Sequence, residues 1–137
     1  MRPGPAVLSF PPPMGSIVPT VLVHGGAGDV PRARRPVHAE GCRRAADAAL
    51  EALRTGGDAL QVAIVAVEVL EDDPRFNAGT GACLTEDGTL ELDASVMEGT
   101  AMSFGAVACL PPFRHPVRIA EAVRVDGRHA CYAAEGA

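Results

Sequence analysis

The sequence predicts a mixed α+β domain in which two helices cover a sheet. Two consecutive helical segments fill residues 36–72, one two-faced and one apolar nearly all round. Short β-branched or small-residue runs bounded by glycine and proline stand before and after them. The order strand, helix, helix, hairpin, strand, helix, strand is neither a βαβ series nor an all-β pattern, and further layers would come from elsewhere.

Residues 1–19 read as a disordered, proline-rich tail: five of the first 13 residues are Pro, and Met14 offers an alternative start. The domain proper is 20–137. Thr20 to Val23 is expected to form a buried strand leading into the turn His24-Gly25-Gly26-Ala27-Gly28. From about Pro36 to Thr55, Cys42, Ala45, Ala46, Ala49 and Leu53 recur at helical spacing, with charged residues on the other face. Gly56-Gly57 ends that helix. Asp58 is the expected N-cap of a second helix, to about Leu70 or Asp72, which from Ala59 to Leu70 is polar only at Gln61 and Glu68. Such a helix is buried on most sides, against a sheet and flanked by the first. Pro74 stops it, and a loop runs from Asp73 to Gly79.

A hairpin is expected next, with strands Gly81–Thr85 and Thr89–Ala94 around the turn Glu86-Asp87-Gly88. Met102 to Leu110 reads as a central strand ended by Pro111-Pro112. His115 to Val125 reads as a helix with Pro116 in its first turn. Asp126-Gly127 turns the chain, and His129 to Ala133 is a last strand.

The 137 residues suffice for one domain, which would bury roughly two thirds of the unfolded surface. Apolar residues at 47% and charged residues at 21% describe a globular chain. All 12 basic residues are Arg, and against 17 acids the net charge is −5, which argues against a nucleic-acid or anionic-membrane partner. No apolar run reaches the roughly 18 residues of a membrane helix. The four cysteines, 42, 83, 109 and 131, form no Cys-x-x-Cys pair, so buried free thiols in a reducing cytoplasm are expected.

Three segments carry possible chemistry. The glycine turn 24–28 is either a tight turn crossed by other backbone or a direct ligand contact; it lacks the Lys-Ser/Thr of a phosphate loop. Glu71, Asp72 and Asp73 crowd the C-terminal end of a helix, where the helix dipole is already negative. A bound cation, Arg75 or solvent could compensate them. Asn77, the only Asn of the chain, can bond backbone and orient a neighbouring group, or merely make a turn. Asp93 and Ser95 share a strand face, and bonding to backbone at a strand bend accounts for them better than a serine nucleophile without a base. The four His have no metal-ligand spacing, and no metal is assigned to them.

Taken together, VLVHGGAG at 21–28, LEDDPRFNAGTG at 70–81, ELDASVMEGT at 91–100, GAVACL at 105–110 and HPVRIAEAV at 115–123 resemble the plant-type L-asparaginase/isoaspartyl peptidase family. HACYAAEGA at the end resembles that family's strand before its next helix. The resemblance implies the four-layer αββα sandwich of N-terminal-nucleophile hydrolases. It also implies a precursor that cuts itself before a threonine into α and β subunits, expected to assemble as an (αβ)2 dimer. The freed threonine, with its own α-amino group as base, would attack the side-chain amide of asparagine or an isoaspartyl bond; water then releases aspartate from the acyl-enzyme.

The family's Gly-Thr-Val-Gly nucleophile motif, its substrate-binding Arg-x-Gly-Asp segment and its oxyanion residues have no counterpart here. The threonines at 20, 55, 80, 85, 89 and 100 lie outside that motif. The chain is therefore expected to be the α-subunit part of the enzyme, inactive alone. No cofactor is implied, but a structural sodium ion is, on the main-chain carbonyls of Leu70, Glu71, Asp73, Phe76, Ala78 and Thr80. Asn77 is implied to position the nucleophile, with Gly25 and Gly26 beside the catalytic centre. The alternatives are a non-catalytic binding module, a glycosylasparaginase-like relative and a truncated reading frame that does not fold alone.

Overall fold

The computed structural model of the chain describes residues 18–134. The expected tail at 1–19 falls almost wholly outside them. After a single 3-10 turn at Arg32–Arg34, helix α1 runs Arg35–Arg54 and helix α2 runs Ala59–Glu71. Pro36 sits in the first turn of α1, where its missing N–H breaks no helical bond. The Asp58 carboxylate accepts the Gln61 N–H at 2.8 Å while the Gln61 side chain accepts the Asp58 N–H at 3.2 Å. This reciprocal cap satisfies two donors that would otherwise lack partners and contributes about 1 kcal/mol.

Strands β1 (Leu92–Glu98), β2 (Ser103–Leu110) and β3 (Cys131–Ala133) form one sheet in the order β1-β2-β3, so the small-residue strand is central as expected. β1 and β2 are antiparallel, β2 and β3 parallel. Parallel neighbours need a crossover, and helix α3 (Pro116–Asp126) supplies it. Glycine 105 lets α3 lie directly on β2, since a Cβ there would stand 2.3 Å from the Ala120 carbonyl oxygen. Arg124 fastens the pair, donating to Ser103 Oγ at 2.7 Å.

The core has two parts. Leu60 and Ile64 of α2 join Leu92, Val96, Val107, Leu110, Val117, Ala120 and Val123 between helices and sheet. Val62, Ala66 and Leu70, also of α2, join Ala45, Ala49 and Phe76 toward α1. An apolar girdle is thus what α2 needs, being sandwiched between α1 and the sheet. The opposite sheet face stays open, with Met97 and Phe104 paired across it at 54% and 44% exposure.

Several expectations need correction. Thr20–Val23 is not a buried strand: it is extended and pairs with no described strand, and only Val21 and Val23 pack, on the α1–α2 cluster, while Leu22 is 88% exposed. A strand needs a neighbour to take its N–H and C=O groups. The hairpin at 81–94 is reduced to its turn, in which Thr85 N–H bonds the Thr89 carbonyl oxygen and Gly88 N–H bonds that of Thr85. Its second arm is displaced into β1, whose partner is β2. The last strand is confined to Cys131–Ala133. The cysteines are free, but Cys42 is only half-buried and the other three are exposed. They lie in an irregular segment, at a strand irregularity and on a short edge strand, not in the core.

Candidate functional site

Two irregular segments meet beside the N-terminal part of α1. The first is the glycine turn. His24 Nδ1 accepts the Gly26 N–H at 3.2 Å, which leaves the ring proton of a neutral imidazole on Nε2. Gly26 has φ +101°, a conformation that side chains resist. The second is the loop that leaves α2. Phe76 N–H bonds the Asp73 carbonyl oxygen, Ala78 N–H that of Phe76, and Gly81 N–H that of Ala78. These successive turns end in a single 3-10 turn at Gly79–Gly81. Between the segments lies a cleft of about 530 Å³, lined by His24, Gly25, Gly26, Arg34, His38 and Asn77 among others.

Asn77 is exposed, and its Oδ1 accepts the Cys83 N–H at 2.8 Å. That bond identifies the oxygen and turns the amide nitrogen, with its two donors, to the other side. The turn alternative left open for this residue is thus what the structure displays: Asn77 braces the chain at Cys83.

Side chains answer the crowded carboxylates. Asp73 accepts Arg44 Nη2 and Arg75 Nε, each at 2.6 Å, and Arg75 also reaches the Val37 carbonyl oxygen at 3.1 Å, tying the loop to α1. The Arg75 hydrogen bonds hold the Asp73 carboxyl below its usual range. Arg114 grips Asp72 with two bonds near 3 Å and likewise lowers its titration. Glu71 lies at the unfavourable end of α2 but at the favourable end of α3: its carboxylate takes the Val117 N–H at 3.1 Å and faces His115 Nδ1 at 3.3 Å. Burial nevertheless pushes its titration up, only partly offset by those donors.

With the carboxylates so engaged, the backbone carbonyls of the loop are the further oxygens that a cation could meet. The Asp73, Phe76 and Ala78 carbonyls each accept one backbone N–H and keep a second lone pair. Those of Glu71 and Thr80 carry none of these turn bonds. Leu70 is the poorest of the six, because the Asp72 and Asp73 N–H groups both bond its oxygen. An uncharged, all-oxygen set fits a hard ion of low charge. Among the described residues, no three His, Cys, Asp or Glu side chains gather as a metal site.

Asp93 is structural: its carboxylate accepts the Cys109 N–H at 2.8 Å where the β1–β2 register shifts. Ser95 is exposed opposite Ala106. Sequence reasoning did not find His38, Arg34 or Arg75 in the cleft. The signal for His38 was present, since it stands one helical turn before Gly41 and Cys42 on the stripe that continues through Ala45 and Ala49.

A family model for asparaginase matches residues 17–137. An isoaspartyl peptidase/L-asparaginase of Danio rerio is 40% identical over 121 residues, which are 88% of this chain and 39% of the relative. The human protein of that name is 40% identical over 120 residues, 87% of this chain and 39% of its own. A plant-type L-asparaginase of Pyrococcus abyssi is 42% identical over 118 residues, 85% of this chain and 38% of its own. The chain thus spans about two fifths of the length of the curated relatives it matches.

Proposed function

The chain belongs to the asparaginase family, and on that premise we propose that it forms one wall of the active site of an amidohydrolase that releases aspartate and ammonia from L-asparagine and cleaves isoaspartyl peptides. The carrying observation is the Asn77 amide, pinned through its oxygen by the Cys83 N–H at the rim of the cleft it shares with the glycine turn. A pinned NH2 group is the donor needed to orient a nucleophilic hydroxyl without reorganising during reaction.

The nucleophile in this reading is a threonine outside the chain, freed by self-cleavage of a longer precursor and carried on a β subunit. Its own amino group takes the hydroxyl proton as the oxygen attacks the amide carbon, and passes that proton to the nitrogen, which leaves as ammonia or an amine. Water then hydrolyses the resulting ester. The αββα sandwich, the (αβ)2 dimer and a cytoplasmic location belong to the same proposal. So does a sodium ion on the carbonyls of Leu70, Glu71, Asp73, Phe76, Ala78 and Thr80; when bound it would stiffen the loop that carries Asn77. The free thiols suit a reducing compartment, and among the described residues no helix is long and apolar enough to cross a membrane.

The test is the full-length precursor. Self-cleavage into two fragments, followed by ammonia release from L-asparagine and hydrolysis of an isoaspartyl dipeptide, is the expected result. An intact precursor inert to both substrates would leave a non-catalytic module.

A further inference from the structure

We propose that the Phe76 side chain is the positioning residue of this site, its ring setting the spacing between the glycine turn and the Asn77 amide. The inference rests on the hydrolase reading above and concerns the ring of Phe76, not its carbonyl.

Phe76 is 4% exposed, and the glycine turn and α1 both meet its ring. One edge faces the glycine turn: a Cβ on Gly25 would stand 2.6 Å from Cε1 and 2.8 Å from Cys42 Sγ. The other edge faces α1: a Cβ on Gly41 would stand 2.6 Å from Cε2 and 2.7 Å from Cζ. The His38 ring meets it edge to face at 5.4 Å. Neither flank has room for a methyl group, so the ring is a spacer of fixed width between turn and helix.

Its backbone is equally fixed, by the Phe76 N–H to Asp73 and the Ala78 N–H to Phe76. Asn77 lies between those two bonds and is pinned to Cys83. A shift of the ring therefore reaches both walls of the cleft. Gly41 is not among the cleft's lining residues; a Cβ there meets the ring first and then, at 3.1 Å, Asp73 Oδ2, so the double variant is what separates the ring from the carboxylate.

The experiment uses the full-length protein with Phe76→Leu, Gly41→Ala and the double variant. Three quantities are measured: kcat and KM on L-asparagine, and, in Phe76→Leu, alkylation of Cys42 by iodoacetamide relative to exposed Cys131. Each single variant should lower kcat about tenfold or more with KM within about twofold, since a displacement of about 1 Å suffices for such losses. The double variant should recover activity above either single one, because Leu vacates the space that the added methyl fills. Phe76→Leu should also speed Cys42 alkylation as the turn loosens.

Folded single variants with parental kcat, or losses that simply add in the double variant, overturn the proposal. If Phe76→Leu does not fold, Phe76→Met takes its place in the single and double variants under the same criteria. A parent protein that hydrolyses neither substrate overturns the hydrolase reading instead, and the Cys42 rate then decides the spacer: an unchanged rate in Phe76→Leu refutes it.

Discussion

Asn77 has half of its amide committed and half free. Because Asn77 and Cys83 are both exposed, removing the side chain leaves the Cys83 N–H to water. Asn77→Ala in the matured enzyme should therefore cost under about 1 kcal/mol of stability while lowering kcat by about tenfold or more. Thermal melts and steady-state kinetics on the same preparation check this, and a parallel loss of folding would assign Asn77 to structure alone. Glu71 shows why such residues are hard to read singly. From the sequence it is a carboxylate at the wrong end of a helix; in the fold it caps a second helix 46 residues away. Nothing near position 71 announces α3.

At the scale of elements, helices were legible throughout and strands only in part, the central strand β2 among them. The expected helices 36–55, 59 to 70–72 and 115–125 coincide with α1, α2 and α3 to within a residue or two. Their caps and periodicity are local, and their hydrogen bonds close within themselves. The 20–23 and 81–85 strands failed because pairing is decided by a neighbour remote in sequence. Turns fall between. At the β1–β2 connection the Glu98 carboxylate accepts the Thr100 and Ala101 N–H groups, both at 2.7 Å. Those donors, Ala101 foremost, hold its titration below the usual carboxylate range. A depressed folded value means stability that is present above the unfolded range and lost as pH falls through the folded value. Glu98→Gln should accordingly melt below the parent at neutral pH, and the difference should vanish in acid. A gap that persists at low pH would show that the turn does not depend on this charge.

For the molecule as a whole, the uncovered faces matter most. Leu22, Met97, Met102 and Phe104 are exposed, and Thr20–Val23 has unpaired backbone along an extended edge. Such surfaces promote association. The chain expressed as residues 18–134 should self-associate at micromolar concentration, and light scattering should show species larger than a monomer; a monodisperse monomer would mean that the open sheet face is tolerated in water. The family, the three helices with the Asp58 cap and the central place of β2 were determined by the sequence itself, because motif spacing and helical periodicity are local properties. Tertiary structure alone decided which strands pair, that arginines and a second helix compensate the acidic cluster, and that Phe76 sits between Gly25 and Gly41. Each of these depends on groups distant in the chain meeting at van der Waals or hydrogen-bond range, which no local pattern encodes.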